Sequence, residues 1–484
     1  MTKINAISVS STLSGHELTS TVTVPKGLRK YFNSFRLFAC YDAPLRADSS
    51  ILNIPLVSTI LPLAWLTGTD VHVEKLDKKY VEAMNAIKHE FKQMYPRGKF
   101  TTNIIVDDLV ENKTQSQGTA LLFSGGVDST YSLIRNIGLK PKLIMFRGVL
   151  GYQIDPSYEK HNQLVRKTYS DFAKREGLTI NFVETNICQI LNDGRIAHDF
   201  HKILLGTRLW DSLQLPLVLL GLPAPLSIGR FNRLLIAADV SPTDDFEKNP
   251  YASQPRINEK FVWADMRVTL DGYVNRFSKT RLIKEYLKKH EHRLRVCNDP
   301  PVDRLNCSSC EKCFRTVAPL VLEGVDPNNC GFEVNRSTFE SMRHSLEKKK
   351  FSASVIDSYW KVFQTLIPCE METNLYGSRD FFMWLRNLNI DSVLKKRNLH
   401  KDLYDLFPYT LAVLFDVFYH SVHDPSAGHS INALLISFLR HARAKKIDFA
   451  LNDKNLVDSL KGVFTLTADV KKQTENARKI STQS

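Results

Sequence analysis

The residues whose types and spacing best suit ligand binding lie between two segments. An apolar segment typical of a buried strand precedes them, and a segment with helical spacing follows them. These residues are Ser124, Gly125, Gly126, Val127, Asp128 and Ser129. Glycines in such a turn can adopt positive φ and let the main chain approach a ligand closely. The N–H groups at a helix start are unpaired and lie at the positive end of the helix dipole, which favours a phosphate. This run therefore predicts a phosphate-binding turn.

The side chains of the turn suggest how such a site would work. Ser124 and Ser129 can add hydroxyl donors, whereas Asp128 would repel a phosphate, so we expect it to hold Mg²⁺ or to fix the loop. The Gly-Lys-Ser/Thr ending of a Walker A loop is missing. The run instead resembles the Ser-Gly-Gly-x-Asp-Ser signature of the PP-loop ATP pyrophosphatases, which implies binding of ATP through its β,γ-phosphates and release of pyrophosphate. A plain strand–helix turn with capping side chains is the alternative.

A second group of chemically competent residues is a cysteine cluster, formed by Cys297, Cys307, Cys310 and Cys313. Four thiolates at this spacing can surround one tetrahedral Zn²⁺ and leave no open position for water, which predicts a structural metal site. An iron–sulfur cluster could use the same thiols, and four free cysteines are a third interpretation. The other cysteines are expected in the core: Cys40, Cys188, Cys330 and Cys369.

The elements that must position these residues alternate between strands and helices from residue 119 onward. Strands are predicted for "TALLFS", "PKLIMFRG", "LTINFVETNI" and "RLLIAADVS", with helices over 127–137 and 157–177 and an apolar helical region over 205–222. Such alternation favours an α/β fold whose parallel, doubly wound sheet carries helices on both faces.

The regions on either side of this domain have a different character, and the sequence predicts three parts. Residues 1–117 form an N-terminal α/β extension, with strands at "HELTSTVTVP" and "SFRLFACYD" and a helix over 75–95. A polar, breaker-rich linker over 111–118 leads into a nucleotide-binding domain with the four-cysteine site over 118–330. Residues 331–484 form a mostly helical C-terminal region, with helices at 353–367 and 411–420.

Composition is typical of a globular protein, with 43% hydrophobic and 24% charged residues in a chain of 484. Two long apolar stretches, 51–68 and 213–229, are interrupted by prolines and predict buried core segments, not membrane spans. With no export signal, we expect a soluble, cytoplasmic protein whose thiols stay reduced. The formal net charge of +14 favours an acidic partner, a nucleotide or a nucleic acid, although solvated helix faces explain many of the lysines.

The turn, the cysteine spacing and their order resemble the 7-cyano-7-deazaguanine synthase (QueC) family of PP-loop enzymes over roughly 119–320. The resemblance includes "GTR" (206–208), "DVSPTDDF" (239–246), in which Thr243-Asp244 matches a family Thr-Asp pair, and Lys279 at a helix start. It implies a fold of the adenine nucleotide alpha hydrolase-like type, with ATP, Mg²⁺ and Zn²⁺. It also implies that the catalytic residues include Asp128, Lys279 and Arg208.

The same resemblance implies a reaction. The family adenylates 7-carboxy-7-deazaguanine with release of pyrophosphate, ammonia forms an amide, and a second ATP dehydrates the amide to a nitrile. Here "YASQPRI" (251–257) and "FRGVLGYQID" (146–155) differ from the family's corresponding stretches, so a related deazapurine carboxylate stays open as substrate. Enlarged relatives in anti-phage operons attach a deazaguanine to a protein amine, which implies a protein acceptor docked by the terminal extensions.

Two other functions remain open. One is a PP-loop enzyme that modifies tRNA, which the basic charge favours although no RNA-binding motif is visible. The other is a non-catalytic scaffold with a nucleotide fold. Several single residues also have a non-functional interpretation. His198 and His201 could have surface or packing roles, and Arg208 and Asp244 could simply face solvent. Lys279 could be an exposed lysine that follows a Ser278 N-cap.

Overall fold

The computed structural model describes residues 6–242, 244, 246, 250–348, 351 and 355–395. Its centre is one sheet of ten strands in the order β10-β9-β6-β7-β8-β3-β2-β1-β4-β5. The strands are β1 (Ile7–Ser14), β2 (Glu17–Thr23), β3 (Arg36–Tyr41), β4 (Val71–Asp77), β5 (Ile104–Val110), β6 (Thr119–Leu122), β7 (Lys142–Arg147), β8 (Ile180–Thr185), β9 (Arg233–Ala237) and β10 (Arg267–Asp271).

The sheet is mixed but mostly parallel. Strands β6 to β10 pair with one another in parallel, and β1, β4 and β5 form a second parallel group. The two groups are joined by the antiparallel strands β2 and β3, and β3 pairs with β8 through Ala39 and Thr185. The predicted α/β class with a largely parallel sheet is confirmed, and the strands of the N-terminal region continue the sheet of the central region.

Helices cover both faces of the sheet and form the region that follows it. The α-helices are α1 (Ser49–Leu52), α2 (Ile54–Thr67), α3 (Lys78–Met94), α4 (Val127–Asn136), α5 (Glu159–Arg175), α6 (Asp193–Phe200), α7 (Leu215–Gly221), α8 (Ala224–Ser227), α9 (Pro255–Asn258), α10 (Arg276–Leu287), α11 (Glu311–Leu322), α12 (Arg336–Glu347), α13 (Lys361–Leu366), α14 (Ser378–Asn387) and α15 (Ile390–Lys395). Single π-helical turns, Trp210–Gln214 and Ile356–Trp360, precede α7 and α13.

Shorter 3₁₀ turns connect these elements. Their bounds are Lys26–Tyr31, Ile137–Leu139, Gly151–Ile154, Pro156–Tyr158, Ile187–Gln189, Pro327–Cys330 and Leu375–Gly377.

The two apolar stretches of the sequence are core helices, as predicted. Every residue of α2 from Ile54 to Leu66 is buried. Helix α7 packs against it closely, because a Cβ at Gly221 would lie 2.7 Å from Ser58 Oγ. Among the described residues, the helices fall short of the length and apolarity that crossing a membrane requires.

Four strands were missed by the sequence patterns: β1, β4, β5 and β10. β5 lies at the sheet edge and carries Asp107 and Asp108, so its composition resembles a loop while discouraging edge pairing. The predicted helix over 75–95 begins at Lys78 because Asp77 ends β4 and caps the helix, accepting a bond of 2.9 Å from the Tyr80 N–H.

The helices after the cysteine cluster form their own aromatic core. Trp360 and Phe382 are fully buried in it, and Phe277 of α10 stacks on Phe363 with ring centroids 5.4 Å apart. The predicted helix over 353–367 is present as a π-helical turn followed by α13, from residue 355 onward. The helix predicted at 411–420 lies outside the described residues.

The strand order positions the candidate site. In the central group the chain runs outward from β6 to β7 and β8 on one side, and to β9 and β10 on the other. The order therefore reverses between β6 and β9. In open parallel sheets, ligands bind in the crevice at the carboxyl ends of the strands where this reversal occurs.

Candidate functional site

The predicted turn lies at that reversal point. It connects β6, which ends at Leu122, with α4, which begins at Val127. Within it, the Gly126 N–H donates to Ser124 Oγ and the Ser124 N–H donates to Ser129 Oγ, each over 3.2 Å. The two serine hydroxyls therefore hold the shape of the turn. Ser124 is exposed, so the turn reaches solvent.

Gly125 and Gly126 differ in backbone conformation and in the space around them. Gly125 has φ +76°, and a Cβ there would lie 2.0 Å from Tyr169 Oη. Gly126 is the N-cap of α4 with φ −77°, a conformation that any residue can adopt. The positive φ that glycine permits is therefore used at Gly125 and not at Gly126. At Gly125 the close neighbour is a buried tyrosine.

The first turn of α4 supplies main-chain donors. The N–H groups of Val127, Asp128 and Ser129 have no acceptor within the helix, because the first residues of a helix lack a carbonyl four positions earlier. They lie at the positive end of the helix dipole and next to exposed Ser124. This arrangement can bind an anion.

Asp128 forms the charged centre of the site. Its Oδ1 accepts a hydrogen bond of 2.7 Å from Lys279 Nζ, and its Oδ2 lies 3.4 Å from Arg276 Nη1. Burial raises the pKa of this carboxyl, but the positive charges of Arg276 and Lys279 outweigh it and hold the pKa below the ordinary value. Asp128 is therefore ionised at neutral pH.

Lys279 is a buried cation, with a side chain only 3% exposed. Its ammonium also donates to the Ala238 carbonyl, just beyond β9, over 2.5 Å. The N-cap of its helix is Asn275, which accepts from the Ser278 N–H, so the expected Ser278 cap is wrong. Because α10 begins at Arg276, Lys279 is the fourth residue of the helix, and its side chain is buried instead of facing solvent.

A second acidic group follows β9. Asp239 Oδ2 accepts a hydrogen bond of 2.6 Å from the Tyr251 hydroxyl. Loss of solvent around the carboxyl raises the pKa of Asp239 to about 6; the Tyr251 hydrogen bond opposes this rise and the charge of Asp128 adds to it. Asp239 is an exposed residue, and its carboxyl places a second acidic group beside the ion pair.

Arg208 is not part of this cluster. It precedes the helical segment that contains α7 and pairs with Asp211, with Nη2 and Oδ2 3.0 Å apart, while its side chain is 59% exposed. The described contacts of Asp128 come from Lys279 and Arg276 instead. Of the family-matched residues, the structure thus brings together Asp128 and Lys279, but not Arg208.

The histidines noted in the sequence contact residues of their own helix, and the Thr-Asp pair lies partly outside the described residues. His198 is exposed, and its Nδ1 lies 2.8 Å from Asp199 Oδ1; His201 is half-buried, and its Nδ1 lies 3.0 Å from the His198 carbonyl. Asp244 is exposed and accepts from the Ser241 N–H. Thr243 lies outside the described residues.

The four clustered cysteines converge on one point. Their sulfur atoms all lie within 4.8 Å of one another, with 3.8 Å between Cys297 and Cys310 and between Cys307 and Cys313. A tetrahedron with Zn–S bonds of about 2.3 Å has edges of about 3.8 Å. The donor set and the spacing therefore fit a metal such as zinc.

Hydrogen bonds around the cysteines hold them in this arrangement. The Cys310 N–H donates to Cys307 Sγ over 3.2 Å. Buried Asn306 accepts from the Val296 N–H and donates to the carbonyls of Leu294 and Gly331. Such outer contacts orient metal ligands before the metal binds.

The cysteine cluster is attached to the glycine-containing turn. The Arg295 N–H, two residues before Cys297, donates to the Gly125 carbonyl over 2.8 Å, and the Tyr169 hydroxyl donates to the Arg293 carbonyl over 3.0 Å. Tyr169 also fills the space beside Gly125. The metal segment therefore supports the back of the turn.

The remaining cysteines fit their prediction only in part. Cys330 is buried in the C-terminal core, as expected. Cys40 and Cys188 are half-buried, and Cys369 is exposed, so a core position was wrong for Cys369. It lies in the irregular segment between α13 and α14, where the chain has no sheet or helix to bury it.

Sequence reasoning missed Arg276 and Asp239. Arg276 stands three residues before Lys279 in α10, a spacing that places both on one helix face. Asp239 lies near the carboxyl end of the predicted strand "RLLIAADVS", in the region where carboxyl ends of parallel strands meet. These two positional signals could have identified both residues.

The fold and site define an α/β protein with a candidate anion-binding turn and a possible four-cysteine metal site. No family model, curated protein or solved structure matches the chain.

Proposed function

We propose that the protein is an ATP-dependent, AMP-forming enzyme of the PP-loop type that adenylates a carboxylate. The observation that carries this proposal is the position of Asp128, in the first turn of α4 where the strand order reverses, between Lys279 and Arg276. An anion-binding helix start beside two cations suits a triphosphate. The ionised carboxylate suits the cation that accompanies it.

The phosphates would lie against the N–H groups of Val127, Asp128 and Ser129. Mg²⁺, when bound by Asp128, would neutralise phosphate charge. Lys279 and Arg276 would stabilise the negative charge that develops on the pyrophosphate leaving group. Because Lys279 is fixed by Asp128 and the Ala238 carbonyl, little reorganisation is needed as that charge develops.

The reaction follows from the poor leaving ability of a carboxylate oxygen. A carboxylate oxygen attacks the α-phosphorus of ATP, the bond to the bridging oxygen breaks, and pyrophosphate leaves with the electron pair. An amine nitrogen then attacks the acyl carbon and AMP departs, while the nitrogen loses a proton. The product is an amide.

The substrate class rests on the resemblance of the glycine-containing turn, the cysteine spacing and Lys279 to the 7-cyano-7-deazaguanine synthase family. We propose 7-carboxy-7-deazaguanine or a related deazapurine as the carboxylate, and ammonia or a protein amine as the acceptor. Zn²⁺ in the four-cysteine cluster would have a structural role, since a closed sulfur shell has no position for substrate.

The test is release of pyrophosphate and AMP from ATP in the presence of 7-carboxy-7-deazaguanine and ammonia. We expect Asp128→Ala to abolish release, while Asp303→Ala, which removes an exposed carboxylate near the cysteines, retains it. Wild-type release that Asp128→Ala leaves unchanged would reject the proposal. Co-purified RNA with strongly salt-dependent binding would favour a tRNA-modifying enzyme instead.

A further inference from the structure

A small cavity of about 70 Å³ lies beside the carboxyl ends of β7 and β8. Three arginines line it, Arg147, Arg166 and Arg295, together with the glutamates Glu159 and Glu184. The cavity is on the β7 side of the glycine-containing turn, whereas Asp128 and Lys279 are on the β9 side, where the strand order reverses.

Two of the three arginines are already neutralised. Arg147 pairs with Glu159 over 2.6 Å and with Glu184 over 3.2 Å. Arg166 pairs with Asp42 over 2.7 Å, and its guanidinium lies 4.5 Å from the centre of the Phe182 ring. Neither guanidinium has charge left unmatched for a ligand.

Arg295 differs from both. Among the described residues, no carboxylate oxygen lies within 4.0 Å of its guanidinium, and its side chain donates no hydrogen bond. It is half-buried. A half-buried arginine with unused donors in a cavity has lost part of its hydration without gaining a partner, and a bound anion would compensate for that loss.

The main chain of Arg295 is held on both sides. Its N–H donates to the Gly125 carbonyl over 2.8 Å, and the next residue, Val296, donates to buried Asn306 over 2.9 Å. Cys297 follows, in the cysteine cluster. The main chain of Arg295 is therefore fixed next to the turn before any ligand binds, so binding has to order only the side chain.

We propose that Arg295 binds an anionic group of a ligand in this cavity, next to the glycine-containing turn. The volume has room for about two water-sized groups, so it suits a carboxylate or one phosphate and not a whole nucleoside. This inference rests on the proposed function, which supplies two sources of such a group: a phosphate of ATP, or the carboxylate to be activated.

The experiment measures binding of Mg·ATP and of 7-carboxy-7-deazaguanine by calorimetry, together with pyrophosphate release. The variants are Arg295→Ala and Arg295→Lys, with Arg293→Ala as the matched control, because it removes the same charge from an exposed neighbour outside the cavity. We expect Arg295→Ala to weaken one of the two ligands about 10- to 100-fold, with partial recovery in Arg295→Lys and no change in Arg293→Ala.

The ligand that is weakened identifies the source of the anion. If the affinity falls for Mg·ATP alone, the anion bound by Arg295 is a phosphate. If it falls for the deazapurine alone, the anion is the carboxylate. If wild type binds either ligand and Arg295→Ala matches it within about twofold, the inference is wrong while the proposed function stands. Binding that depends on Arg295 without pyrophosphate release supports the inference and rejects the function. A wild type that binds neither ligand rejects both.

Discussion

The Lys279 ammonium lies 2.7 Å from Asp128 Oδ1 and 2.5 Å from the Ala238 carbonyl oxygen. One buried cation thus connects the first turn of α4, which follows β6, with the residue that follows β9. β6 and β9 are neighbours in the sheet, although more than a hundred residues separate them in the chain. This contact joins the two strand ends at the point where the strand order reverses.

Removing Lys279 should destabilise the fold as well as the site. Lys279→Met leaves Asp128 largely buried without its nearest cation, and we expect the free energy of unfolding to fall by at least about 2 kcal/mol. The control, Lys288→Met, removes a lysine that is 57% exposed and paired with Glu285. It should change the free energy of unfolding by less than about 0.5 kcal/mol. Urea denaturation of both variants measures the difference. Equal effects would contradict the buried ion pair.

The ion pair should also show in the pH dependence of stability. The pKa of Asp128 is lowered in the folded state below its ordinary value of 3.8, despite burial, because Arg276 and Lys279 are close. Its contribution is therefore fully present above pH 3.8 and is lost as the pH falls through the folded pKa. We expect the excess stability of wild type over Asp128→Asn at neutral pH to shrink as the pH falls below about 3.8.

Thermal unfolding from pH 2 to pH 8 provides that measurement. A stability difference between wild type and Asp128→Asn that is independent of pH over the whole range would show that the carboxylate charge makes no contribution.

The four-cysteine site predicts one bound metal ion for each chain. Cys310→Ser removes one thiolate, so we expect loss of the metal and reduced stability of the segment that supports the glycine-containing turn. Cys369→Ser changes an exposed cysteine outside the cluster and should retain the metal. Elemental analysis of purified protein distinguishes zinc from iron. Absence of metal in wild type, or its retention in Cys310→Ser, would overturn the ligand set.

Gly125 should tolerate no side chain. Its φ is +76°, and a methyl group added there would lie 2.0 Å from the Tyr169 hydroxyl, so we expect Gly125→Ala to cost at least about 3 kcal/mol of stability. Gly138→Ala has open space around the new methyl group and should change stability by about 0.5 kcal/mol or less. Chemical denaturation compares the two. A small loss of stability in Gly125→Ala would mean that Tyr169 can move away from the added methyl group.

Local patterns in the sequence were sufficient for several features. The glycine-containing turn lies between a strand and a helix because the apolar run before it and the helical spacing after it are both local signals. The cysteine cluster could be identified from the sequence because three of its four members fall within seven residues. The two proline-interrupted apolar stretches could be identified as core segments because bilayer crossing needs a longer unbroken run.

Other features depended on contacts that no local pattern encodes. An exposed first-turn position was the plain alternative for Lys279, but the residue is buried and bonds to Asp128 of α4 and to the Ala238 carbonyl beyond β9. Arg208 carried a family match, yet its side chain is exposed and pairs with Asp211. The antiparallel pairing of β3 with β8, which merges the N-terminal strands with the central sheet, joins segments about 150 residues apart.

The amino-acid sequence by itself determined the residue types available for chemistry, the turn that presents main-chain amides, and the thiols able to surround a metal. These are properties of short segments, set by backbone freedom and side-chain chemistry. Only the tertiary structure decided which groups meet: Asp128 with Lys279 and Arg276, and Arg295 with the small cavity beside β7 and β8. Charge pairing depends on distances between elements remote in the chain, and packing of the whole sheet sets those distances.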